Sequence, residues 1–156
     1  MEVEEVTPVE GLIVKLKELF GEEGRLEVAR EKLVMRCGDF STNSALRLFD
    51  ADLRKSVNLN LYNLTAAFNK VGLDTKKSVL SMVLRRFDSN FDGELSYSDV
   101  SDMFAPLLNA EAIKEFEKRQ MFGISSPKNF LEKYTLDCIR DVFNSLLLVT
   151  QIAEGI

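Results

Sequence analysis

Histidine is absent from this 156-residue chain. Without imidazole, the commonest general base, the serine and cysteine triads that rely on it, and histidine-containing zinc sites are all excluded, so no enzyme is expected. Cysteine is scarce as well. Cys37 and Cys138 are the only two; far apart, without metal-ligand spacing, in a chain that opens on no secretory leader, they read as reduced thiols of a cytoplasmic protein. Three prolines and eight glycines leave long stretches free of helix breakers. No apolar run reaches membrane-spanning length. Positive charge is outnumbered by negative: the net charge is −5 and the isoelectric point about 4.9. Nothing is more basic than the pairs Arg85-Arg86 and Lys118-Arg119, so neither nucleic acid nor an anionic membrane is an expected partner. Gly21 and Gly24 stand in Gly-Glu-Glu-Gly, where the acids would repel phosphate. They are expected to end one helix and precede another.

What the chain does hold is the stretch from Asp88 to Asp99, which carries the spacing of a twelve-residue calcium loop. Asp88, Asn90 and Asp92 supply side-chain oxygens at positions 1, 3 and 5. Gly93 falls where the backbone must turn with positive φ, and Glu94 would coordinate through its carbonyl with its side chain in water. Leu95, at position 8, should pack and pair with a sister loop. Ser96, at position 9, can offer a hydroxyl or hold a bridging water. The departure is Asp99 at position 12, where the template has glutamate. One methylene shorter, it reaches an ion through one oxygen, leaving about six ligands rather than about seven, which favours magnesium or weak calcium. The competing reading is an aspartate-rich surface turn without metal.

Apolar residues at helical spacing flank the loop: Leu80, Val83, Leu84 and Phe87 before it, Val100, Met103, Phe104 and Leu107 after it. With these flanks the chain resembles the EF-hand proteins of the calmodulin superfamily, which implies a second hand nearby. Upstream, Ala45, Leu46 and Phe49 precede Asp50 as Val83, Leu84 and Phe87 precede Asp88. Asp50 and Asp52 keep positions 1 and 3, but Arg54 puts a cation where a ligand belongs and Lys55 replaces the glycine. Matching Leu64, Ala67, Phe68 and Val71 to the later exit helix makes Asn63 the counterpart of Asp99 and Leu59 that of Leu95, in a lengthened loop. The rival register ends the loop at Leu61 with Val57 at position 8. In either, the first loop binds no divalent ion.

At the N-terminus, Thr7-Pro8-Val9-Glu10 is a capping box with proline at the first helical position, so a helix is expected from there to Phe20. Leu12, Ile13, Leu16, Leu19 and Phe20 would form its apolar face, as ordinary core or as a partner-binding arm. A second helix from about Arg25 to Cys37 would bury Leu26, Ala29, Leu33 and Val34, with Gly38 as C-cap. Beyond the loops, Asn109 can cap a solvated helix from Ala110 to about Met121, whose narrow seam is Ile113, Phe116, and Gln120 or Met121. Ser126-Pro127 begins a further helical turn. Thr135 can cap a long terminal helix bearing Leu136, Ile139, Val142, Phe143, Leu146, Leu147 and Ile152. That helix packs as ordinary core, or fills a groove of the EF-hand pair through Leu136, Ile139, Phe143 and Leu147. The pattern still runs at Glu154-Gly155-Ile156, which points to a larger assembly around that end.

The expected fold is therefore all-α: an EF-hand pair of four helices with a short β pairing between loops, plus N- and C-terminal helices. Its segments are 1–38, 39–108 and 109–156. The resemblance implies a protein-interaction or scaffold module with at most one weak Ca2+ or Mg2+ site, formed by Asp88, Asn90, Asp92, Glu94, Ser96 and Asp99. Partners would be other proteins, reached through helix-in-groove contacts or the terminal helices. The alternative is a calcium-dependent regulator that opens a hydrophobic groove to recruit a target helix. Between Leu46 and Pro106, with Leu-Phe-Asp at 48–50 and Leu-Ser-Tyr-Ser-Asp at 95–99, the chain is also similar in style to EF-hand proteins of protist cilia and cytoskeletons, which implies microtubule or axonemal partners.

Overall fold

Thr7 and Pro8 start the first helix as the capping box predicts: the Glu10 amide donates to Thr7 Oγ1 over 3.2 Å, and the Thr7 amide donates to Glu10 Oε2 over 3.3 Å. The computed structural model describes residues 7–50, 57–122 and 131–156, the last two of the middle stretch by backbone alone. Its first element, α1, runs unbroken from Pro8–Arg36. The expected break at Gly21 and Gly24 does not occur. Each glycine costs a helix about 1 kcal/mol relative to alanine. Both are exposed on α1, and the burial of Leu26, Leu33 and Val34 just beyond them outweighs that cost at about 1.5–3 kcal/mol per side chain. Nor is Gly38 the C-cap, since the helix closes on Cys37 in an extended conformation.

Two helix–loop–helix units follow. The first comprises α2 (Thr42–Ala45) continued by a 3-10 turn (Leu46–Phe49) and, beyond a connection of which residues 50 and 57–60 are described, α3 (Leu61–Lys70). The second comprises α4 (Lys77–Phe87), the Asp88 loop and α5 (Tyr97–Phe104). Their loops meet at one antiparallel bridge, in which the Leu59 amide donates to the Leu95 carbonyl over 2.9 Å and the Leu95 amide returns the bond over 2.7 Å. The register that pairs Leu59 with Leu95 is thus the one adopted, and the rival placing of Val57 is not. Side chains expected in the core are there: Ala45, Leu46, Phe49, Leu64, Ala67, Phe68, Val71, Leu80, Val83, Leu84, Val100, Met103 and Phe104 are buried. Phe87 is half-buried against that core, and Leu107 lies outside it, two-thirds exposed beyond the end of α5.

The terminal segments join the same core rather than standing apart. Asn109 Oδ1 accepts from the Ala112 amide over 3.1 Å, capping α6 (Ala110–Phe122) as expected. The turn expected at Ser126-Pro127 lies outside the described residues. The last helix, α7 (Lys133–Glu154), starts at Glu132, not at Thr135. Thr135 is buried inside it and donates its hydroxyl to Asp39, so it ties the helix to the chain after α1 instead of capping. α7 lies antiparallel along α1: Lys15 Nζ reaches the Gly155 carbonyl at 2.6 Å, while Lys32 sits over the Tyr134 ring. From α7, Phe143 enters the centre of the two units. It stacks on Phe68 with centroids 4.2 Å apart and meets Phe104 at 5.8 Å and Phe49 at 6.4 Å, the last edge-on.

α1 holds the second unit through buried polar groups. Arg30 Nε donates to the Met103 carbonyl over 2.9 Å, satisfying a terminal acceptor of α5. Burial pulls the Arg30 guanidinium below its ordinary pKa, with the nearby Glu27 carboxylate acting against that shift. Glu27 in turn accepts from the Leu107 amide over 2.7 and 2.9 Å. The chain is all-α among the described residues, with the single bridge as its β element. No helix among them is long and apolar enough to cross a membrane.

Candidate metal site

The Asp88 loop begins where α4 runs out. Asp88 takes extended φ/ψ and its amide still donates to Leu84, so its side chain is carried under the loop and is only 6% exposed. There Oδ2 accepts from the Gly93 amide over 2.8 Å, across the turn. Gly93 has φ +81°, as its place in the motif requires, and a side chain there would be strained. A second residue also enters the left-handed region: Phe91, with φ +57° and 90% exposed. For a non-glycine this costs on the order of 1 kcal/mol, and nothing in the residue pattern announced it.

The remaining predicted donors are held by the loop's own hydrogen bonds. Asn90 Nδ2 donates to Asp92 Oδ2 over 3.2 Å, and Asp92 Oδ1 accepts from the Glu94 amide over 2.9 Å. Ser96 is the N-cap of α5 and Asp99 its third helical residue. The Asp99 amide donates to Ser96 Oγ over 3.2 Å and the Ser96 amide to Asp99 Oδ2 over 3.0 Å, a reciprocal capping box. Ser89 Oγ donates to the other oxygen, Asp99 Oδ1, over 2.7 Å. Asp99 is thus 2% exposed with both oxygens engaged. Burial by itself would raise its pKa; the hydrogen bonds from Ser96 and Ser89 outweigh burial and hold the carboxyl below its ordinary value. Asp102, one turn on, goes the other way, raised by burial and by the Asp99 charge, with Arg30 opposing.

The structure therefore brings the predicted residues onto one loop in two groups: Asp88 with Gly93, and Asp99 with Ser89 and Ser96. Asp92 and Asn90 sit between them at the exposed rim. Among the described residues no three histidine, cysteine, aspartate or glutamate side chains converge into a metal-holding cluster. One observation suits a cation nonetheless. Asp88 Oδ1 is buried and has no hydrogen-bond partner, an arrangement that costs about 1–3 kcal/mol for a neutral group and more for a charged one. The donor set, three carboxylates with amide, hydroxyl and carbonyl oxygens on a short loop, is hard-oxygen chemistry that fits calcium or magnesium rather than a softer metal.

The first loop is different. Asp50 is in the left-handed region at φ +53°, and its carboxylate pairs with Lys70 of α3. Asn63, the counterpart of Asp99, donates its amide to the Phe49 carbonyl over 2.8 Å and caps α3 jointly with Asn60. Asp52, Arg54 and Lys55 lie outside the described residues. Comparison with protein-family models, with curated proteins and with solved structures finds no match in any of the three.

Proposed function

We propose that residues 39–108 are an EF-hand pair used for protein interaction, with one weak Ca2+ or Mg2+ site in the second loop and none in the first. The observation that carries this reading is the Leu59–Leu95 bridge: it joins two helix–loop–helix units at the loop position the motif assigns, opposite the one loop that holds the full donor spacing. The orphaned oxygen of Asp88 supports a cation in that loop. Asp88, Asn90, Asp92, the Glu94 carbonyl, Ser96 and Asp99 would hold it, and the ion's charge would offset the three carboxylates. Asp99, one methylene shorter than glutamate and already accepting from Ser89 and Ser96, would offer the ion one oxygen, so affinity is low. The pairing of Asp50 with Lys70 supports an inert first loop.

The scaffold reading is favoured over a calcium-triggered regulator because Phe143 of α7 already stands among Phe49, Phe68 and Phe104, where a recruited helix would have to go. Calorimetric titration with calcium and with magnesium tests the site. One site is expected, calcium weaker than about micromolar, with no binding to Asp88→Ala. Two tight sites would overturn the inert first loop, and no heat from either ion would leave a metal-independent module. Pull-downs in calcium and in chelator then separate scaffold from regulator: a scaffold keeps its partners in both. The cytoskeletal setting implied by Leu46 to Pro106 belongs to the same proposal, and co-sedimentation with microtubules tests it.

A further inference from the structure

The N-terminal third of α1 carries an apolar stripe that is largely exposed among the described residues. Val9, Ile13 and Phe20 are exposed by 66%, 46% and 67%, and Leu16, between them on the same face, is half-buried. Their spacing of four, three and four residues is that of one helical seam about 16 Å long. α7 does not cover it. Where α7 ends, the Gly155 carbonyl is bound by Lys15, which lies to one side of the stripe, and Pro8–Val14 project past that contact. An apolar seam left open to water on a capped, well-formed helix is an interaction surface by default.

The charges beside the stripe say what fits it. Glu10 and Lys17 lie on the same flank, two turns apart, and both are exposed. If a second α1 is laid antiparallel along the seam, Val9 meets Phe20 of the other copy and Ile13 meets Leu16. Each Glu10 then faces the other copy's Lys17, twice over by symmetry. A parallel pairing would put the two copies' Glu10–Lys17 flanks on opposite sides of the seam, so neither charge would meet its counterpart. The antiparallel arrangement also directs the continuations of the two α1 helices beyond Phe20 to opposite ends of the paired segment. From the stripe, its orientation and its self-complementary charges, we infer that α1 is the contact of an antiparallel two-fold dimer, through residues 9–20. The seam is much smaller than the roughly 800 Å2 per partner of a standard interface, so the dimer is weak, with Kd on the order of 100 µM.

Sedimentation equilibrium of the full chain from about 10 µM to about 1 mM at low salt reads this directly. The expected result is a mass that rises toward twice the monomer. Ile13→Asp abolishes the rise, while Val14→Asp, an equal charge change off the stripe, leaves it intact; circular dichroism checks that both variants keep their helix content. Lys17→Glu weakens association roughly five- to tenfold; Glu10→Lys weakens it at least as much and also removes the Thr7–Glu10 cap, and the double swap, which restores opposite charges in the antiparallel register, associates more tightly than Glu10→Lys alone. A zero-length carboxyl–amine crosslinker should join Glu10 to Lys17 between chains, because within one helix they are about 10 Å apart. A chain monomeric at about 1 mM overturns the inference, as does a double swap that associates no more tightly than Glu10→Lys alone. Monomeric chain that binds phosphatidylserine vesicles through Ile13 would overturn it in favour of a lipid surface.

Discussion

Replacing Phe143 with alanine should destabilise the whole molecule, not just its last helix. The ring is fully buried, stacked on Phe68 and flanked by Phe49 and Phe104. Core Phe→Ala changes cost about 3–5 kcal/mol, and favourable ring pairs add about 0.5–1.5 kcal/mol beyond area. Three such neighbours, each itself a rigid ring that cannot collapse far into the void, put the expected loss near the top of that range. For a chain of this length each kcal/mol lowers Tm by about 2–4 °C, so a fall of roughly 10–20 °C follows. Urea unfolding followed at 222 nm should show a lower midpoint with an unchanged slope. Phe91→Ala is the control: that ring is 90% exposed, and its loss should move stability by no more than about 0.5 kcal/mol. A loss below about 1.5 kcal/mol for Phe143→Ala would refute the wedge. Hydrogen exchange supplies a second refutation. If only the amides of α7 lost protection while those of α1, α3, α4 and α5 kept theirs, α7 would be a detachable plug and not part of the core.

Two further outcomes follow from titrating groups. The Asp99 carboxyl has its pKa depressed in the fold, so its contribution is present above the unfolded value of about 3.9 and is lost as pH falls through the lower folded value. In chelator, Asp99→Asn should be about 1–2 kcal/mol less stable than wild type at pH 6, and the gap should narrow toward pH 3; a gap that is constant or widens refutes the assignment. The Cys37 thiol, pushed up to about 12 by burial and by its hydrogen bond with Cys138, should be nearly inert to a disulfide reagent at pH 8. Against an ordinary thiol of about 8.5 the thiolate is scarcer by a factor on the order of 1,000. Both thiols should react in guanidinium, and a native Cys37 rate within tenfold of free cysteine would count against this.

Much of the fold was readable because it rests on local rules. The periodic sets Leu64-Phe68, Leu80-Val83-Leu84 and Val100-Phe104 located three helices, and Thr7 and Asn109 marked two starts through hydrogen bonds spanning only three residues. Leu59 was a legible partner for Leu95 because counting back from α3 is also local. What failed was non-local. Gly21 and Gly24 read as breakers because nothing near them shows that α7 will lie alongside the same helix. Thr135 read as a cap because its true acceptor, Asp39, is 96 residues away, and Cys37 and Cys138 gave no hint of meeting. At the loop, the donor residues were visible in order. That Ser96 and Asp99 cap α5 is also legible, since Ser-x-x-Asp before an apolar run is itself a capping pattern.

The antiparallel pairing of α1 with α7 also governs how the chain reaches this fold. A contact such as Lys15 with Gly155 closes a loop of 140 residues, and its entropic cost must be met before the helices reward each other. Residues 61–104 can form their local helices early, but their shared centre stays open until residue 143 arrives from the far end of the chain. During that interval Phe49, Phe68 and Phe104 are the surface most in need of a chaperone.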